Sequence, residues 1–132
     1  MLELAKVTSE DIVVDLGSGD GRIIVMAAEE FGATAFGIEA DPLRVLWSRT
    51  IIRRHGLRDR VKVVWGNFFS KSIAAATVVT VFQGQAINKT LQPKLSTELK
   101  PGTRVVSYSF PFEDWDPVET QIKPNLFLYV IG

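Results

Sequence analysis

Three glycines at alternate positions, Gly17, Gly19 and Gly21, follow the apolar run "VVDL" and its single acid, Asp15. Glycine weakens strands and helices, so the cluster has a local purpose: a tight turn, or a backbone that a ligand approaches closely. Such a turn can present helix amides to a pyrophosphate, and the fingerprint for that use is G-x-G-x-x-G. Here the third-glycine position is Arg22, and Asp20 puts a negative charge close to any phosphate. Both facts count against NAD or FAD. Farther along, Glu39 closes a second apolar run. A carboxylate at a strand end, about 20 residues after the glycines, can accept both hydroxyls of a ribose.

Other chemistries are excluded by what the chain lacks. There is no cysteine, which removes disulfides, thiolate catalysis and cysteine-based zinc sites. A single histidine, His55, removes a multi-histidine metal centre, so no metal is expected. Fifteen basic and fifteen acidic residues cancel, leaving no overall field to draw nucleic acid or an anionic membrane. The densest basic stretch, Arg53, Arg54, Arg58, Arg60 and Lys62, is interrupted by Asp59. It reads first as a solvated face and second as a docking patch for an acidic partner. No apolar run reaches membrane-spanning length and the first residues lack the form of a secretion signal, so a cytoplasmic protein is expected.

The elements that must position these residues follow from alternation. Strands are expected at Asp11–Leu16, Thr34–Glu39, Val61–Trp65, Thr77–Phe82 and Arg104–Phe110. Between the first two, Ile23, Ile24, Ala27, Ala28 and Phe31 recur at helical spacing, and Gly32 stops that helix. Asp41-Pro42 predicts a capped helix ending near Gly56, with Leu43, Leu46, Trp47, Thr50 and Ile51 on its inner face. Leu91, Leu95 and Leu99 mark a third helix with Pro93 in its first turn. "ETQIK" and "LFLYVI", joined by Pro124-Asn125, form a closing hairpin. The pattern predicts one α/β domain, residues 1–132: a Rossmann-like, doubly wound, mostly parallel sheet ending in an antiparallel hairpin. Such sheets bind ligands at the carboxyl ends of their strands.

The D-x-G-x-G-x-G pattern, Asp15 to Gly21, resembles motif I of the class I S-adenosylmethionine (SAM)-dependent methyltransferases. The resemblance implies that Asp15, Gly17, Ser18, Gly19, Asp20 and Gly21 lie against the aminocarboxypropyl end of SAM, with Glu39 on its ribose. It also implies a polar contact to the adenine amino group after the third strand. In "GNFF", Asn67 supplies the oxygen, and Phe68 or Phe69 covers the adenine face.

A narrower likeness lies in "ELKPGTRVVS" and the following "FPFEDWDP". With motif I, these resemble the archaeal broad-specificity protein lysine methyltransferases and the mitochondrial enzymes that methylate the ATP synthase c-subunit. The likeness runs from Met1 to about Trp115. It implies SAM as donor and a protein substrate with accessible lysines. Two departures accompany it. Family members carry a segment with a "P-T-P" signature before the helix that begins here as "MLELAKV", and this cover segment is absent. After the fourth strand the family has a Tyr-Leu pair, whereas this chain reads Phe82-Gln83-Gly84-Gln85. The Asn-Pro-Pro-Tyr signature used for amide or adenine amino groups is missing too.

A lysine near pKa ~10.4 must be neutral to attack, at a cost of about 4–5 kcal/mol at pH 7. A low-dielectric channel lowers that cost. In the lysine reading Tyr108 stands beside the amine, Phe110 and Trp115 line the channel, and Glu113 and Asp114 attract a basic substrate. Two other readings keep SAM: methylation of a small molecule, or a non-catalytic SAM-binding protein whose site a partner must complete.

Overall fold

A computed structural model describes the whole chain, Met1–Gly132. Seven strands form one sheet: β1 (Ile12–Leu16), β2 (Thr34–Glu39), β3 (Val61–Trp65), β4 (Val78–Val81), β5 (Arg104–Tyr108), β6 (Glu119–Gln121) and β7 (Leu126–Val130). Their order is β3-β2-β1-β4-β5-β7-β6. The first five run parallel, and β7 pairs antiparallel with both β5 and β6. This is the expected architecture, including the terminal hairpin.

Short apolar runs become strands here because both faces of the sheet are covered. Val13 and Val78 face a core shared with Ile24, Ala27, Val45 and Ile52 of helices α1 (Arg22–Phe31) and α2 (Pro42–Arg54). Val14, Leu16, Val79 and Val81 face the opposite core, with Leu91 and Leu95 of α3 (Gln85–Glu98). The chain order reverses between β1 and β4, so their carboxyl ends part there and open a crevice.

Three local expectations are corrected. The inner face of α2 is Val45, Ser48 and Ile52, while Leu43, Leu46 and Trp47 are 75%, 61% and 57% exposed. Thr50 and Ile51 lie at the boundary between the two faces. The helix carries apolar residues all round, and the small Ser48 selects the face that packs closely on the glycine turn. Pro93 lies within α3, not in its first turn, because the helix starts at Gln85 behind Gly84. Its ring faces solvent, where water can satisfy the Lys89 carbonyl that loses a donor. "MLELAKV" makes one turn, closed by Ala5 N–H donating to the Met1 carbonyl at 3.2 Å, and no helix follows. Leu2, Ala5 and Val7 nevertheless bury themselves in the α1 side of the core. The Arg104 guanidinium holds this segment, donating to the Ala5 carbonyl at 2.6 Å and pairing with Asp11.

Candidate functional site

The glycine turn leaves β1 with Gly17, Gly19 and Gly21 all at positive φ, +82°, +59° and +84°. Side chains rarely adopt that backbone, which explains the alternation. The turn is tied to β2: the Gly17 and Ser18 N–H groups both donate to the Ile38 carbonyl, at 2.9 and 3.2 Å. Gly37 belongs to the same design. A Cβ there would stand 2.5 Å from Ser18 Cβ and would collide with Ser18 Oγ as well, so the strand needs glycine for the turn to settle against it.

Glu39 is buried, and its carboxylate organises the rim. Oε1 accepts from Gly19 N–H at 2.6 Å and Oε2 accepts from Asp41 N–H at 3.0 Å. Each oxygen keeps a lone pair for a further donor. Ser48 supports the turn from below. Fully buried, it shares its hydroxyl proton between the Gly19 and Arg44 carbonyls, both at 2.8 Å, and its Cβ lies 3.3 Å from where a Gly21 Cβ would be.

Asp15 sits under the turn, 7% exposed, and accepts from Thr80 Oγ1 at 2.8 Å across the β1–β4 pairing. Burial pushes its pKa up to about 7. The Thr80 hydrogen bond pulls the other way, and the Glu39 and Asp20 charges add to the rise.

A cleft of about 620 Å³ opens above these residues, lined among others by Gly17, Glu39, Asn67, Phe68, Phe82 and Gln83. The fold thus brings four of the expected site residues, Gly17, Glu39, Asn67 and Phe68, to one cavity. Asp15 and Ser18 are buried and do not line it. Asp20 turns outward, accepting from the Arg22 N–H at 3.0 Å and pairing with its guanidinium at 3.3 Å. Asn67 Oδ1 accepts from Phe69 N–H at 2.8 Å, which shapes the loop and leaves one lone pair. Tyr108 does not line the cleft, but its ring packs at a tilt against Phe82, which does, with centroids 4.5 Å apart. Trp115 packs against Phe112 and Tyr129 in the α3-side core, so it is not beside Tyr108.

Sequence reasoning missed Ser48, Gln83 and Arg44. Gln83 donates from Nε2 to the Leu16 carbonyl at 3.3 Å, and the same nitrogen fills the space that a Gly17 Cβ would need. A side chain at Gly17 would have to displace that amide and adopt the left-handed backbone at φ +82°. The signal for Ser48 was its spacing from Val45 and Ile52, three residues after one and four before the other, which places all three on one helical face.

The donor set fits an S-adenosyl nucleoside. Glu39 offers acceptors for a diol, aromatic and amide groups stand opposite it, and a Cβ on Gly19 would meet nothing within 4 Å, so that turn faces open space. A pyrophosphate there would instead meet the Glu39 carboxylate. The family model of the ANTKMT methyltransferase domain matches residues 15–119. The chain belongs to this family. A protein-lysine N-methyltransferase of Saccharolobus islandicus is 46% identical over all of the chain, which spans 86% of that relative. The ATP synthase c-subunit lysine N-methyltransferase of Xenopus laevis is 38% identical over 80% of the chain, which there spans only 46% of the relative. A crystal structure described as an RNA methyltransferase from Salinibacter ruber with S-adenosyl-L-homocysteine superposes with TM-score 0.97. It is 40% identical, over 99% of this chain and 87% of that one. The fold, enzyme class and cofactor are those of a SAM-dependent methyltransferase. No helix is long and apolar enough to cross a membrane.

Proposed function

We propose that the chain transfers a methyl group from SAM to the side-chain amine of protein lysines, acting as a single domain, residues 1–132. The observation that carries this reading is the Phe82–Tyr108 pair, the residue after β4 against the last residue of β5, which forms an aromatic wall beside the cleft. Phe82 is 61% exposed, so the wall faces what enters. An aromatic wall suits the alkyl stem of lysine, attracts its ammonium on approach, and excludes water from the amine that must be neutral to react. The names of the Saccharolobus and Xenopus relatives support the same acceptor. A cytoplasmic site of action belongs to the proposal and rests on the composition of the sequence.

In this reading Glu39 holds the ribose hydroxyls while keeping the Gly19 and Asp41 amides. Gly17, Ser18, Gly19, Gly21, Asp15 and Asp20 shape the turn under the amino-acid end. Asn67 and Phe68 take the adenine. When bound, SAM supplies a methyl on a sulfonium, which departs as a neutral thioether once an amine lone pair takes the carbon. The protein's part is positioning and desolvation. Asn88 of α3 fixes the wall: its Nδ2 donates to Ser107 Oγ at 3.3 Å and to the Phe110 carbonyl at 3.0 Å, pinning the chain on both sides of Tyr108.

Tyr108→Phe tests the assignment. It keeps the ring packed against Phe82 and removes only the hydroxyl. The expected result is a methyl-transfer rate lower by about 2- to 10-fold, the scale of one hydrogen bond, with SAM affinity unchanged. An activity that merely follows the folded fraction would make Tyr108 structural. The Salinibacter description makes RNA the acceptor to include as a competing substrate in that assay.

A further inference from the structure

Charge balance predicts no nucleic-acid partner, but the fold segregates the charges. Seven of the fifteen basic residues lie between Arg44 and Lys62, where the only acid is Asp59. Four of them, Arg49 and Arg53 from α2, Arg58 from the connection and Lys62 from β3, line a groove of about 580 Å³ along the free edge of the sheet. No Asp or Glu lines it, and none of the four belongs to an ion pair.

Trp65 ends the groove with its indole 61% exposed. The ring is held in place, its Nε1–H donating to the Ala40 carbonyl at 3.0 Å. Arg49 donates to the Val63 carbonyl at 3.1 Å, covering an edge group that an added β-strand would need. Recognition in the groove therefore falls to cations and to a fixed aromatic plane.

We propose that this groove docks a single-stranded nucleic acid. Unpaired cations along a groove match a repeating phosphate backbone, and a held, exposed indole is a stacking platform for an unpaired base. An acidic peptide would satisfy the cations and leave the indole without a role. A duplex keeps its bases stacked inside and cannot use it. Gly66, next to Trp65, already lines the cofactor cleft, so the docked strand lies beside that cleft and outside it.

The test is fluorescence anisotropy of the full chain with labelled single strands of about 12 nucleotides, oligo-U and oligo-dT in separate arms. Binding is expected in at least one arm. It should weaken roughly twenty-fold between 50 and 200 mM salt if about three phosphates are neutralised. Arg53→Ala/Arg58→Ala/Lys62→Ala should flatten that salt dependence while SAM affinity stays unchanged. Trp65→Leu should weaken binding about fivefold or more, with the thermal midpoint and SAM titration reporting that the variant is folded. No binding at 50 mM salt in either arm, equal affinity for a duplex, or equal competition by polyglutamate would overturn the proposal. So would unchanged affinity in folded Trp65→Leu.

Discussion

Glu39→Ala is expected to weaken SAM binding by about 10- to 150-fold, the effect of losing charge-assisted hydrogen bonds worth about 1.5–3 kcal/mol. The same change strands the Gly19 and Asp41 amides, which the carboxylate now satisfies at 2.6 and 3.0 Å. Gly19 is half-buried and Asp41 exposed, so water can reach these amides and the loss is that of ordinary hydrogen bonds, about 0.5–1.5 kcal/mol each. The variant should also unfold at somewhat lower denaturant. Calorimetric titration separates the two effects when run beside Glu39→Gln. Glutamine keeps one acceptor oxygen, so it should recover part of the stability and little of the affinity. A SAM affinity within twofold of the parent in the alanine variant would remove Glu39 from the cofactor site.

The second large effect is electrostatic and depends on pH. Asp15 titrates near 7 in the folded chain, against a usual value of 3.8, chiefly because burial disfavours its charge. The folded state therefore keeps a proton that the unfolded chain has released between about pH 4 and 7. Stability must fall as pH rises through that window, and the loss is complete above it. The difference amounts to something on the order of 4 kcal/mol. Asp15→Asn has no proton to lose, and its amide oxygen can still accept from Thr80. Relative to the parent, the variant should gain stability between about pH 4 and pH 7 and level off above that, measured by urea denaturation across the range. A constant offset would show that Asp15 is ionised in the folded protein without penalty. Carboxylates not coupled to Asp15, such as Asp11, held low despite its burial by Thr8, Thr77 and Arg104, are common to both proteins and cancel.

The strands were legible because each is a short apolar run bounded by turn residues, and coverage on both faces makes such runs unambiguous. The rim residues Gly17 and Glu39 were legible for the same reason: both sit at strand ends, and strand ends were easy to place. The register of α2 was not. Leu43, Leu46 and Trp47 compete with Val45 and Ile52 for the inner face, and hydropathy favours the wrong set. What decides is Ser48, whose small side chain packs under Gly21 and donates to the Gly19 carbonyl, a contact made only after folding. Gln83 was hidden likewise, since its role comes from lying across Gly17, far away in sequence. The basic stretch was visible as composition, but its arrangement was not, because only the α2–β3 packing aligns Arg49 and Arg53 with Lys62 and Trp65 along one groove.

The identity of the methyl acceptor is the most direct test of lysine methylation, and mass spectrometry can read it from one mixture. The chain is incubated with SAM, a lysine-rich protein, a small primary amine and an RNA, and every component is then weighed and mapped. Methyl groups on lysine side chains, lost when Glu39 is replaced by alanine and reduced in Tyr108→Phe, are the predicted result. Methylation of the RNA or the small amine with the protein's lysines unmodified would contradict it.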